Sequence, residues 1–170
     1  MGSPDIFYVE DDQDFAFIMQ YAVKEVKDDL VVSIVEDGTE AMKMLNKFVE
    51  DQHKPRLILL DLNLPGLSGL DLLKRIKEIP YFKYVPVVLF STSDDPVDVK
   101  RSLEFGANAY LTKPDGYTNL INCVQSLYDL VGGRSVDVLA ANAGHGLGQG
   151  FLDQAFDDIL HVINTNITGT

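Results

Sequence analysis

Several residues that could take part in phosphoryl transfer follow short apolar segments of the sequence. Glu10, Asp11 and Asp12 follow the first segment, Asp61 the third, Ser91 and Thr92 the fourth, and Lys113 the fifth. In an open parallel sheet, ligands bind at the carboxyl ends of the strands, so these side chains are expected to meet at one edge. A carboxylate nucleophile, a hydroxyl donor and an ammonium group together suit the formation of an aspartyl phosphate.

Each of these groups also has an ordinary structural explanation. Acidic residues after a strand commonly cap a helix or face water. Asp61 comes shortly before a Pro-Gly pair and can be a turn former, Ser91 can cap the next helix, and Lys113 can be a solvated loop lysine. The convergence of all of them on one edge favours the chemical interpretation.

Carboxylates brought together at that edge predict a divalent metal site. They repel one another, and a hard cation with oxygen ligands relieves the repulsion. Mg²⁺ suits the site because it takes one or two carboxylates and keeps waters that a phosphate can replace. Asp61 is then the predicted nucleophile, the metal and Lys113 offset charge on the transferred group, and Ser91 donates a hydrogen bond to one of its oxygens.

The elements that must position these residues are predicted from hydrophobic periodicity. Five short apolar segments alternate with longer segments of helical period, which is typical of an α/β fold with a parallel sheet. The fourth helix has a start signal in Ser93-Asp94-Asp95-Pro96, a capping side chain ahead of a proline. The predicted strands are residues 6–9, 31–35, 57–60, 85–90 and 109–111.

Three stretches of the sequence resemble the signature blocks of bacterial response-regulator receiver domains, in the family's order and at its spacing. They are Ile6-Phe7-Tyr8-Val9-Glu10-Asp11-Asp12, Asp61-Leu62-Asn63-Leu64-Pro65-Gly66-Leu67-Ser68-Gly69 and Gly106-Ala107-Asn108-Ala109-Tyr110-Leu111-Thr112-Lys113-Pro114. The resemblance covers residues 5–131. It implies a flavodoxin-like, doubly wound parallel sheet with strand order 2-1-3-4-5.

The resemblance also implies roles for the acidic residues. It makes Asp61 the phosphoacceptor and Asp11 a direct ligand of Mg²⁺ or Mn²⁺. Glu10 acts on the metal mostly through water, and Asn63 offers its backbone carbonyl. Asp12 lies one position beyond the usual acidic pair and is given no ligand role.

The same resemblance implies a conformational switch. Ser91 matches the family's switch hydroxyl, Tyr110 its rotating aromatic residue and Lys113 its phosphate-binding lysine. Phosphate would draw Ser91 inward and let Tyr110 turn into the vacated space, which biases the surface of the fourth helix, fifth strand and fifth helix. Without the resemblance, Tyr110 is an ordinary half-buried aromatic at a sheet edge.

Residues 133–170 have a different composition, which predicts a domain boundary near residues 132–135, after Gly132-Gly133. Residues 136–144 and 162–170 are similar to a strand and a helix of short-chain dehydrogenases, although Ala141 replaces the first Asn of their motif. The similarity predicts an appended Rossmann-type βα fragment that adds a sixth strand, in an engineered or recombined chimera.

The fragment has neither the dinucleotide fingerprint nor the Tyr-x-x-x-Lys pair of a dehydrogenase. We therefore expect no NAD(P) binding and no dehydrogenase activity. The usual right-handed crossover would return the added strand toward the second strand, so it must travel far, pair antiparallel, displace the fifth helix or pair with another chain. A homodimer through this strand, or through the face of the fourth helix, fifth strand and fifth helix, is accordingly predicted.

Composition narrows the possible partners and the compartment. The formal net charge of −12 disfavours nucleic acid and anionic lipid. No apolar run approaches the roughly 18 residues needed to cross a bilayer. Cys123 is the only cysteine and lies among apolar residues, so we expect a buried thiol in a reducing compartment and a cytoplasmic protein.

These observations leave three functional hypotheses. The leading one is a non-enzymatic receiver of a two-component phosphorelay, limited to self-phosphorylation and self-dephosphorylation, with a histidine kinase or phosphotransfer protein as its partner. The second is a fold-chimera scaffold without physiological output. The third and least favoured is an NAD(P)-dependent oxidoreductase.

Overall fold

The fold is known from a computed structural model that describes residues 3–131. Strands and helices alternate along the chain, as the hydrophobic pattern predicts. The strands are β1 Ile6–Val9, β2 Val32–Val35, β3 Leu57–Leu60, β4 Val87–Ser91 and β5 Ala109–Thr112. The helices are α1 Gln13–Val26, α2 Gly38–Glu50, α3 Gly69–Glu78, α4 Pro96–Glu104 and α5 Tyr117–Val131, with a short 3₁₀ helix at Pro80–Phe82.

All five strands form one parallel sheet in the order β2-β1-β3-β4-β5, which confirms the predicted fold class. β1 and β3 match the predicted bounds, and β2 begins one residue later than predicted. The main difference is at β4, which begins at Val87. The amide of Val85 donates to the carbonyl of Phe82, so this residue belongs to the turn that follows the 3₁₀ helix.

The sheet separates two apolar clusters, because successive side chains of a strand point to opposite faces. On β1, Phe7 and Val9 pack toward α2 and α3, whereas Ile6 and Tyr8 pack toward α1 and α5. Each fully buried aliphatic or aromatic side chain contributes about 1.5–3 kcal/mol relative to leaving it in water. The two clusters hold the sheet from both sides and fix the edge at which the strands end.

Helix caps follow the start signals in the sequence. The Asp95 side chain accepts from the amide of Val97 at 2.8 Å, with Pro96 in the first turn, as predicted for α4. Asp12 caps α1 by accepting from the amide of Phe15 at 3.0 Å. Asp12 is therefore the N-cap of α1.

Gly69 allows α3 to begin directly against the end of β3. A Cβ at this position would lie 1.9 Å from the backbone oxygen of Asp61, which no side-chain rotation can relieve. The amide of Gly69 donates to the carbonyl of Leu62 at 3.0 Å. This close approach fixes the backbone of the loop that carries Asp61.

Cys123 is half-buried on α5 and packs against the cluster that lies under α1 and α5. Burial raises the pKa of its thiol to about 12. The thiol is therefore protonated at neutral pH, as expected for a small packing residue and not for a reactive cysteine.

Several predictions concern residues outside the described part of the chain. These are the boundary at 132–135, the appended domain 133–170, its sixth strand and a dimer through that strand. Within residues 3–131, no helix is long and apolar enough to cross a membrane.

Candidate functional site

The side chains predicted to form the site converge at the carboxyl ends of four neighbouring strands. Glu10 follows β1, Asp61 follows β3, Ser91 ends β4 and Lys113 follows β5. Glu10 and Ser91 are fully buried and Asp61 is 5% exposed. The carboxyl-end rule therefore places these four residues correctly.

Lys113 joins the two buried carboxylates. Its Nζ lies 2.6 Å from Oε2 of Glu10 and 2.6 Å from Oδ2 of Asp61, and its side chain is 5% exposed. The ammonium also lies 4.6 Å from the centre of the Phe15 ring. Lys113 is thus a buried counter-charge, and its interpretation as a solvated loop lysine is wrong.

Asp61 also accepts two hydrogen bonds on its other oxygen. The Ser91 hydroxyl donates to Oδ1 at 2.7 Å, and the amide of Asn63 donates to the same atom at 3.2 Å. Ser91 therefore contacts the predicted nucleophile. It is not the cap of α4, because Asp95 holds that position. Asp61 does make the local contact of a turn former, through Asn63, in addition to its contacts across the site.

Glu10 has a partner that the sequence did not single out, the hydroxyl of Tyr8. This hydroxyl donates to Oε2 of Glu10, and the amide of Asp12 donates to Oε1 at 3.2 Å. Tyr8 and Glu10 are two residues apart at the end of β1, so their side chains lie on the same side of the sheet. That spacing was the available signal, but a buried strand tyrosine more often indicates packing alone.

Burial and hydrogen bonding act in opposite directions on the two carboxyl groups. Burial raises the pKa of Glu10 above its usual value, although Lys113 and Tyr8 oppose this effect. Burial also acts to raise the pKa of Asp61, but hydrogen bonds from Lys113 and Ser91 outweigh it and leave that pKa below its usual value. Asp61 is therefore ionised at neutral pH, as a carboxylate nucleophile must be.

The acidic residues are close enough together to share one cation. Glu10, Asp11 and Asp61 each offer a carboxylate oxygen, and these oxygens lie within 4.8 Å of one another. Asp11 is exposed, so the group opens to solvent on that side. A set of hard oxygen donors of this kind fits Mg²⁺ or Mn²⁺.

Tyr110 lies inside the fold and not half-buried at its edge. Its side chain is fully buried, and its hydroxyl donates to the backbone carbonyl of Ser93 at 2.8 Å. Burial raises the pKa of Tyr110 to about 12. The Ser93 hydroxyl in turn donates to Asp98 at 2.8 Å, which connects Tyr110 to the first turn of α4.

Comparison with known proteins defines the class to which this fold and site belong. Residues 6–125 match the family model of the response regulator receiver domain. The chain therefore belongs to the response-regulator receiver family.

Among individual relatives, the response regulator Rcp1 of Synechocystis is 39% identical over 124 residues, which is 72% of this chain and 84% of Rcp1. Several other relatives are longer than the matched part. Two-component response regulators of Arabidopsis thaliana and Oryza sativa match over 48% and 60% of their own lengths.

Solved response regulators share the fold, among them RcpA and Rcp1. The phosphorylated cyanobacterial phytochrome response regulator RcpA superimposes with a TM-score of 0.71 at 33% identity, covering 79% of this chain and 97% of RcpA. The Mn²⁺-bound form of Rcp1 gives a TM-score of 0.65 at 36% identity, covering 74% of this chain and 93% of Rcp1.

Family membership makes the chain a receiver domain of two-component signalling and not a dehydrogenase. The family match ends at residue 125. The dehydrogenase resemblance of residues 136–170 and the chimera hypothesis that rests on it gain no support from these comparisons.

Proposed function

We propose that this receiver domain accepts a phosphoryl group on Asp61 and that Lys113 and Ser91 assist the transfer. The observation that carries the proposal is the environment of the Asp61 carboxylate, with Lys113 2.6 Å from one oxygen and Ser91 2.7 Å from the other. When a phosphohistidine is the donor, its phosphorus–nitrogen bond breaks as a phosphorus–oxygen bond to Asp61 forms. The imidazole leaves with the electron pair and takes up a proton.

Glu10, Asp11 and Asp61 are the side chains that would hold a divalent cation, and the family resemblance adds the backbone carbonyl of Asn63. Mg²⁺ or Mn²⁺ would supply positive charge to the transferred group. The existence of a Mn²⁺-bound form of the relative Rcp1 supports divalent-metal binding by this chain. Lys113 and Ser91 would move from the Asp61 carboxylate to phosphoryl oxygens, because both already point at the reacting group.

The proposal is tested by incubating the full chain with acetyl phosphate and Mg²⁺. Intact mass spectrometry should show a single added phosphoryl group, and reduction with borohydride followed by peptide mapping should place it on Asp61. When EDTA is present during the incubation, the yield of phosphorylated chain should fall by at least nine-tenths, because without a metal the clustered carboxylates repel the donor. Equal labelling with and without metal, or a label on another residue, would contradict the assignment.

A surface beside this site supports a protein partner that delivers the phosphoryl group. Phe17, Ile18 and Tyr21 of α1 line a groove of about 650 Å³ together with residues 114–116, which follow Lys113. Phe17 and Tyr21 are 58% and 57% exposed. Contiguous exposed apolar side chains commonly mark a protein-binding surface. We propose that the histidine-bearing helices of a histidine kinase or phosphotransfer protein dock here.

A Phe17→Ser, Tyr21→Ser chain should separate docking from chemistry. We expect kinase-dependent phosphorylation to fall at least tenfold, since the loss of two apolar contacts weakens partner binding by about 1.4 kcal/mol or more. Labelling by acetyl phosphate needs no docking and provides the internal reference. A Tyr84→Ser chain, altered at a residue that is 85% exposed and outside the groove, is the matched control. An equal loss with both donors would argue against the docking role.

Similarity to RcpA, a phytochrome response regulator, makes a phytochrome-type kinase the first donor to test.

The proposed output is a switch in which Ser91 and Tyr110 report phosphorylation to α4, through the Tyr110 contact with Ser93. A cytoplasmic location belongs to the same proposal and rests on cysteine usage, because the single Cys123 of the sequence permits no intrachain disulfide. A homodimer through the α4–β5–α5 face stays a prediction.

A further inference from the structure

Tyr8 is a fully buried residue of β1 whose hydroxyl does not fit a purely apolar role. Its ring packs in the cluster under α1 and α5, with its centre 6.1 Å from that of Phe90. A phenylalanine would fill the same space without bringing a polar group into it. Burying a hydroxyl costs about 1–3 kcal/mol unless it is hydrogen-bonded, and the hydrogen bond of Tyr8 goes to Glu10.

Three donors hold the Glu10 carboxylate, two of them from residues that are two positions away in the sequence and one from the distant Lys113. Tyr8 and Lys113 contact Oε2, and the amide of Asp12 donates to Oε1. Lys113 is shared with Asp61 at 2.6 Å, and in the proposed function it turns to the phosphoryl group. Tyr8 is the side-chain donor that can stay on Glu10 throughout, because its ring is fixed in the core.

We propose that Tyr8 is a positioning residue that orients Glu10 for divalent-metal binding. This inference rests on the proposed metal-binding role of Glu10, Asp11 and Asp61. Hydrogen-bond partners of metal-binding side chains fix their orientation, and loss of such a partner typically weakens metal binding about 10–100-fold. Without the phenol, Glu10 can rotate away from the orientation that it shares with the other two carboxylates.

The test is a titration of the full chain and of a Tyr8→Phe chain with Mn²⁺ alone, with free Mn²⁺ followed by electron paramagnetic resonance. We expect the dissociation constant to rise about tenfold in the variant. Tyr117→Phe is the matched control, because the Tyr117 hydroxyl also donates to a glutamate, Glu25, at 2.8 Å, but away from the acidic cluster. Its dissociation constant should stay within twofold of that of the parent chain. Circular dichroism in EDTA checks that each chain is folded.

A second comparison distinguishes positioning from a general structural effect. If Tyr8 acts through Glu10, Tyr8→Phe should change the Mn²⁺ dissociation constant less than twofold in a Glu10→Gln background. An equal tenfold loss in both backgrounds, or no loss in the single variant, would overturn the inference while leaving the metal site in place. Failure of the parent chain to bind millimolar Mn²⁺ would instead refute the proposed metal site and the inference with it.

Discussion

An Asp61→Asn chain is expected to accept no phosphoryl group and to remain folded. The carboxamide oxygen is a poor nucleophile, so phosphorylation by acetyl phosphate should fall at least 100-fold. The amide can still accept hydrogen bonds from Ser91 and from the backbone of Asn63, which contact one oxygen of the native side chain. Lys113 keeps Glu10 as an ionic partner at 2.6 Å. The amide nitrogen then replaces Oδ2 and faces the Lys113 ammonium, which lies 2.6 Å from that atom in the parent chain. Because a charged hydrogen bond is lost, the unfolding free energy should fall by about 1–3 kcal/mol.

Intact mass spectrometry gives the phosphoryl content, and urea unfolding gives the stability of the same samples. An Asp71→Asn chain is the matched control, because Asp71 is an exposed acidic residue at the start of α3. Its phosphorylation should equal that of the parent chain. Undiminished labelling of Asp61→Asn would show that another residue is the phosphoacceptor, and the assignment of the site would then be wrong.

Much of this arrangement could be predicted because the topology of a parallel sheet brings the ends of distant strands together. Asp61 and Ser91 are 30 residues apart and meet at 2.7 Å. Their types and their places after apolar segments were enough to put them at one edge. Strand order came from resemblance to a family and not from hydrophobic pattern, because five similar apolar segments permit several orders.

Side-chain partners were harder to predict than positions. Tyr110 lies on β5, at the edge of the sheet, which favours partial exposure. The structure buries it fully, because its ring packs into one of the two apolar clusters, and its hydroxyl reaches the backbone of Ser93 ahead of α4. The Tyr8 contact with Glu10 was also missed. Both contacts depend on how neighbouring groups pack in three dimensions, which the period of a strand does not specify.

The contacts of Lys113 were also not predictable from the sequence, and they matter more for the stability of the fold. Its place after β5 is clear from the sequence, but its burial between Glu10 and Asp61 is not. Two carboxylates and one ammonium leave this buried group with one net negative charge. The lysine therefore contributes to stability as well as to the proposed chemistry. A divalent cation would offset the negative charge that the lysine leaves unbalanced.

A Lys113→Met chain tests both contributions. In EDTA, we expect the unfolding free energy to fall by about 3–5 kcal/mol, the usual cost of removing one partner from a buried ionic pair. Phosphorylation by acetyl phosphate should fall about 10²–10³-fold, because a donor to the developing charge is lost. Urea unfolding and a labelling time course measure the two effects. Lys100→Met is the control, since Lys100 makes an exposed ion pair with Glu104 worth less than about 1 kcal/mol.

Added Mg²⁺ should distinguish lost charge balance from lost packing in the Lys113→Met chain. A cation that binds only the folded state stabilises it by an amount that grows with its affinity. Without the ammonium, the carboxylates of Glu10 and Asp61 attract Mg²⁺ more strongly, so Mg²⁺ should stabilise the variant more than the parent chain. Stabilisation of both chains by equal amounts would mean that Lys113 contributes mainly through packing. A larger gain in stability for the Lys113→Met chain would instead show that the ammonium and the metal neutralise the same two carboxylates, as the geometry of the site predicts.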